Sequence, residues 1–246
     1  MTYCVGLCLQ DGLVFLSDTR TNAGVDNIAT FSKMHVVEVP GERVIVALTA
    51  GNLAVTQSVM NRVLEVMPAS SGEGEPNKTL AQVGSMVEAV ELVGAAIRHV
   101  YKTDGPMLQA QNIGFDVSIL IGGQIKDRRM RLFHVYPAGN YIEATQDTPF
   151  LQLGEHKYGK PILDRVLTYR TDLFDGVKLC FISMDSTLRS NLTVGLPIDL
   201  AVYKRDALKL DVRRRIGDDD PYFRHVRQKW SDSLRQAYQA LPRPEY

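Results

Sequence analysis

Cysteine is scarce in this chain, and with it everything that cysteine supports. Cys4, Cys8 and Cys180 form an odd set without a CxxC, so neither a disulfide framework nor a thiolate zinc site is indicated. The five histidines include no HExxH and no i, i+4 pair, and no metal or other cofactor is expected. An excess of either charge is also missing. Lys plus Arg number 28 and Asp plus Glu number 28, which leaves nothing to draw in a phosphate backbone and argues against nucleic acid as a partner. No run approaches 18 consecutive apolar residues, and no basic, then apolar leader stands before the first strand-like segment. Those absences point to a soluble, cytoplasmic protein with no membrane span. Internal repeats and low-complexity linkers are lacking as well, so one domain over residues 1–246 is expected.

What is there has a definite rhythm. Residues 2–9 and 13–18 are apolar, β-branched runs around Asp11-Gly12, a strong hairpin signal. A polar stretch over 19–32 follows, then strand-like runs over 33–39 and 43–48 joined through Pro40-Gly41-Glu42. Gly51 marks a change to helical period as far as 67, and residues 68–76 read as an exposed loop. Leu80, Val83, Val87, Val90, Val93, Ile97 and Val100 step by three or four and predict a core helix. Strands are expected over 115–125, 129–135, 140–143 and 149–153, helices over 157–169 and 176–191, strands over 199–203 and 208–214, and an amphipathic helix over 221–239. Runs of strands alternating with paired helices argue for an α+β layered architecture rather than a βαβ parallel sheet. Arg213-Arg214-Arg215 followed by Asp218-Asp219-Asp220 reads as a solvated charged loop and helix entry, with an intersubunit charge contact as the alternative.

The second residue carries the chemistry. If Met1 is removed, which a small second residue such as threonine permits, Thr2 becomes the amino terminus at the tip of a strand. Its hydroxyl and its α-amine, with a reference pKa near 8, then form a nucleophile and base within one residue.

Further segments agree with that reading. SDTRTNAGVDN, the KMHVV after it, ALTAGNLAV and the later SMDSTLRSNLTVGLPIDL stand in the order of a proteasome β-type subunit's motifs. The chain resembles the proteasome-type N-terminal nucleophile hydrolases, most closely their bacterial Anbu group, over essentially its whole length. The resemblance implies a four-layer αββα sandwich, two antiparallel sheets between helix layers, with the nucleophile opening the first strand. It implies Thr2 as nucleophile, Asp18 and Lys33 as the charged pair beside it, and Gly51 as the backbone N–H donor to the oxyanion. An ammonium there lowers the pKa of hydroxyl and amine, and a carboxylate holds it in place. On this reading Lys33→Ala abolishes hydrolysis with the fold intact, the site being partly open to solvent.

Two departures from the family pattern stand out. The stretch between Thr2 and Lys33 is one residue shorter than is usual. In RSNLTVG, which is similar to the segment supporting the terminal amine, Ser190 takes the aspartate position and Thr193 that of a serine.

The resemblance implies a threonine-type peptidase that binds an extended peptide along Asn22 and Leu53, in a pocket bounded by Thr21 and Thr49 that is not obviously charged, and cuts through an acyl ester. A ring-forming scaffold with little or no turnover, and an amidase acting on a small non-peptide amide, are the alternatives. A homo-oligomeric ring or open helical assembly is implied; no residue points to a partner ATPase.

Overall fold

The computed structural model describes residues 2–22, 27–66 and 78–246. Met1, part of the polar stretch before Lys33, and the loop expected over 68–76 lie outside them.

Strands β1 (Tyr3–Leu9) and β2 (Gly12–Asp18) form the hairpin that Asp11-Gly12 announces, with Cys4 opposite Ser17 and Leu9 opposite Gly12. Both are almost wholly buried, because alternate side chains enter two different cores. Tyr3, Val5, Leu7, Val14 and Leu16 face one, while Cys4, Leu13 and Phe15 face the other. Being apolar on both faces, such strands must be covered on both.

The short ribbon β3 (Arg20–Asn22) and β4 (Ile28–Thr30) comes next, inside the stretch read only as polar. Three-residue, half-exposed strands leave no apolar alternation to read. Then follow β5 (Met34–Val39), β6 (Arg43–Gly51), α1 (Leu53–Leu64) and α2 (Met86–Ala110). The long helix starts six residues later than its periodicity predicts. Ser85 accepts the Glu88 N–H at 3.1 Å and Glu88 accepts the N–H of Gly84, one residue before the cap, at 2.6 Å, a variant of the capping box that fixes the start, while Leu80 and Val83 are buried ahead of it. It also continues beyond Val100, through Pro106.

Strands β7 (Val117–Ile125), β8 (Arg131–Val135), β9 (Tyr141–Glu143) and β10 (Phe150–Gly154) lead to α3 (His156–Val166) and α4 (Leu173–Ser190). Strands β11 (Ile198–Lys204) and β12 (Leu210–Ile216) and helix α5 (Pro221–Ala240) complete the chain.

Two five-stranded antiparallel sheets result, ordered β10-β1-β2-β11-β12 and β5-β6-β7-β8-β9. Helices α3, α4 and α5 bury their apolar faces on the first, and α1 and α2 on the second. A third core, with Phe15, Leu48, Leu120 and Tyr203, fills the space between the sheets. This is the four-layer αββα arrangement. No helix of the described residues is long and apolar enough to cross a membrane.

The charge run near the end is engaged within the chain. Arg215 holds Asp199 at 2.7 Å, Arg214 pairs with Asp220 at 3.3 Å, and Arg227 reaches Asp218 at 3.1 Å.

Candidate functional site

Strand β1 is interior to its sheet, with β10 on one side and β2 on the other, so Thr2 at its head has little freedom. Gly154 opposes Tyr3 in the β1–β10 register and has φ +75°. A Cβ at that position would collide with the Thr2 carbonyl oxygen, so only glycine allows the close approach. The Thr2 carbonyl then accepts the Glu155 N–H at 2.8 Å. Thr2 is 7% exposed and lines a cavity of about 390 Å³.

Asp18, at the end of β2, is the hub behind that cavity. Its Oδ1 accepts the Tyr3 N–H at 3.1 Å and Lys33 Nζ at 2.6 Å; its Oδ2 accepts the N–H groups of Arg20 at 3.2 Å and Gly195 at 3.4 Å. Burial pushes the Asp18 carboxyl up, and the Lys33 ammonium with the Tyr3 and Gly195 N–H donors pulls it back. Lys33 precedes β5 and is tied to β6 through the Thr49 N–H on its carbonyl, 2.9 Å. Its Nζ also donates to the Arg20 carbonyl at 2.8 Å, which leaves one of its three N–H donors for the cavity it lines.

Gly51 ends β6 with φ +117°, and a Cβ there would strike the Asp116 carbonyl. Because ladder bonds alternate along a strand, its N–H lies on the same edge of β6 as that of Thr49, the edge that faces Lys33. Cys4, the nearest thiol in sequence, is no rival nucleophile. Its side chain is fully buried, points its Sγ toward the Thr49 carbonyl at 3.8 Å, and burial pushes its pKa up.

Thr2, Lys33, Gly51, Thr21, Asn22, Thr49 and Leu53 therefore share one cavity, with Asp18 buried behind Lys33. Asn22 has part of its bonding capacity committed, since Nδ2 donates to the Thr193 carbonyl at 2.8 Å. Ser190 and Thr193 do not line the cavity. Ser190 is exposed at the end of α4, and the Thr193 hydroxyl donates to Asn191 at 2.6 Å within its own turn. Their segment acts at one remove, through the Gly195 N–H on Asp18 and the Leu192 carbonyl, which accepts Arg20 at 2.8 Å.

The lining is more charged than expected, because Arg20, Asp116 and Glu155 join it. Ser118 also lines it, its hydroxyl 2.6 Å from Nε2 of His134 on β8, whose pKa burial lowers to about 4. The spacing of none of these residues signals a site; Arg20 alone sits within a segment already singled out. Among the described residues no group of three His, Cys, Asp or Glu side chains could hold a metal ion.

No protein-family profile matches the chain, and no curated protein sequence does. Solved structures do match over nearly all of its length. An Anbu (Gly-1) mutant from Hyphomicrobium sp. strain MC1 shares 48% identity, with all of both chains covered and a TM-score of 0.88. Anbu from Yersinia bercovieri, described as an ancestral beta-subunit, shares 46% over 99% of each chain with a TM-score of 0.88. The Pseudomonas aeruginosa Anbu complex, described as a helical assembly, shares 47% over 98% of each chain with a TM-score of 0.89. With the layer order, the interior strand headed by Thr2 and this identity over full length, the chain belongs to the Anbu family of proteasome-related proteins and has their N-terminal-nucleophile-type fold.

Proposed function

We propose that the chain is a threonine-type peptidase subunit, one domain over residues 1–246, which becomes active when loss of Met1 frees the Thr2 amine. The observation that carries this reading is the meeting of Thr2, the Lys33–Asp18 pair and the free edge of Gly51 around one open cavity. The α-amine takes the hydroxyl proton, and Thr2 Oγ attacks the peptide carbonyl carbon. The resulting oxyanion accepts the Gly51 N–H. The ammonium then returns its proton to the leaving amine as the C–N bond breaks, leaving an acyl ester on Oγ. Water activated by the same amine attacks the ester and releases the acid. Lys33, a compact positive charge beside the hydroxyl, lowers the pKa values of both hydroxyl and amine.

The helical assembly described for the Pseudomonas aeruginosa relative supports a homo-oligomer, in an open helix or a ring, and the balance of charge, with no helix among the described residues long and apolar enough to cross a membrane, fits a cytoplasmic setting.

An electrophilic peptide epoxyketone tests the reading, because its two-point attack needs hydroxyl and free amine together. Intact mass before and after the reagent should divide the protein by its amino terminus. Chains beginning at Thr2 gain one adduct, and chains keeping Met1 or carrying Thr2→Ala gain none. Labelling of the Met1-bearing form would place the nucleophile elsewhere. No adduct on any chain would favour a scaffold that uses the fold for assembly alone.

A further inference from the structure

Glu155 occupies the N-cap position of α3, where a short polar side chain ordinarily folds back onto the first-turn amides, yet it makes no side-chain cap bond. Its backbone N–H is fixed to the Thr2 carbonyl, and it lines the same cavity as Thr2. The side chain is 14% exposed, and among the described residues Oε2 is buried with no hydrogen-bond partner. Its one cation among the described residues is Lys157 Nζ at 3.6 Å, beyond hydrogen-bond range and on a side chain 67% exposed. A buried carboxylate oxygen without a donor is costly, and such an atom asks what it is for.

The cations already in the cavity do not answer it. Lys33 spends two donors on Asp18 and the Arg20 carbonyl, and Arg20 reaches away to the Leu192 carbonyl with its guanidinium lying over Gly195. Asp18, in turn, already accepts four donors. A positive charge created at Thr2, whose carbonyl is held by the Glu155 N–H, would share its cavity with Glu155, whose Oε2 accepts no hydrogen bond among the described residues.

We propose that Glu155 is the counterion of the α-ammonium created at Thr2, orienting the amine and setting the pH at which it becomes a base. The proposal rests on the reading that Thr2 is exposed by loss of Met1. Two opposed charges then tune one amine: Lys33 lowers its pKa by like-charge repulsion, and Glu155 raises it by favouring the ammonium. The other groups facing this point are Asp18 from β2, Arg20 from β3, Asp116 ahead of β7, and His156 and Lys157 from α3. Because the amine gains positive charge as it takes the hydroxyl proton, a fixed carboxylate also stabilises the transition state of acylation.

The test measures the amine itself, not turnover. Chains expressed behind a cleavable ubiquitin all begin at Thr2, and trace acetic anhydride across a pH series gives the α-amine pKa from the modified N-terminal peptide by mass spectrometry. Glu155→Gln should lower that pKa by about one unit and move the acid limb of hydrolysis to lower pH by the same amount. Glu155→Asp, which keeps the charge one methylene further back, should fall between. An unchanged amine pKa in Glu155→Gln overturns the proposal. So does an equal shift in Asp116→Asn, which would make the effect one of general cavity charge. If Glu155→Gln does not fold, Glu155→Asp carries the same comparison, with an unshifted amine as the negative result. A shifted amine in a chain that never hydrolyses peptide keeps the counterion and removes the peptidase reading. Normal hydrolysis with an unshifted amine does the reverse.

Discussion

Lys33 is 6% exposed and its partner Asp18 0% exposed, so the pair is a structural as well as a chemical unit. Removing one member of such a pair leaves a buried charge with nothing to balance it, at a cost of about 3–5 kcal/mol. Lys33→Ala should therefore lose hydrolysis and also unfold at clearly lower denaturant, contrary to the expectation of an intact, solvent-open site. Asp18→Asn should be weakened too. The double variant should be more stable than the sum of the two losses, with a coupling of about 2 kcal/mol or more by denaturant titration, because no lone charge remains. Strict additivity would show that the two side chains are independent. Thr2, Asp18, Lys33 and Gly51 were legible because each stands at a strand end inside a recognisable ordered segment. Glu155 and Ser118 were not. They reach the cavity from a strand and a helix cap more than a hundred residues after Thr2, and neither LQLGEH nor FDVSIL has a spacing that announces it.

At the scale of elements, the contact between α3 and α4 turns on one glycine. A Cβ on Gly159 would run into the Ser183 hydroxyl and approach the Tyr3 hydroxyl to 2.7 Å. Those two hydroxyls lie 2.6 Å apart in the core, and Gln152 also donates to Tyr3 at 2.7 Å. Helix propensity alone makes Gly→Ala favourable by about 1 kcal/mol. Gly159→Ala should nonetheless destabilise by about 2 kcal/mol, since it pries apart a buried polar trio one residue from the nucleophile. Thermal or denaturant unfolding decides the sign, and a gain in stability would mean that the helices separate at no cost. Most elements could be read from period and punctuation: the opening hairpin, the paired helices and the alternation of groups all stand in the expected order. The departures have local causes. The capping box at Ser85 and Glu88 outranks the apolar spacing ahead of it, and the β3–β4 ribbon is too short and too polar to leave a pattern.

For the molecule as a whole, acid acts on the half-buried histidines. Burial lowers His134 from its ordinary 6.5 to about 4 and lowers His35 as well, so the folded state binds fewer protons than the unfolded chain between those values. The stability that depends on a neutral His134 is complete above pH 6.5 and drains away as pH falls toward 4. After allowance for its partial exposure, the loss should come to about 1–2 kcal/mol. His134→Asn should flatten that part of the stability–pH curve, and an unaltered slope would assign the acid sensitivity to other groups. The layered topology also bears on when the site can exist during synthesis. Thr2 is made well before its partners, for Tyr3 pairs with Gly154, and Asp18 takes the N–H of Gly195, 177 residues downstream. A nascent chain that carries Thr2, Asp18 and Lys33 has neither the Gly154–Glu155 seat nor the last donor to Asp18, and non-local strand pairings of this kind form slowly. The topology thus works as a clock, because until residue 195 has left the ribosome and joined the others, the threonine is only the first letter of an unfinished site.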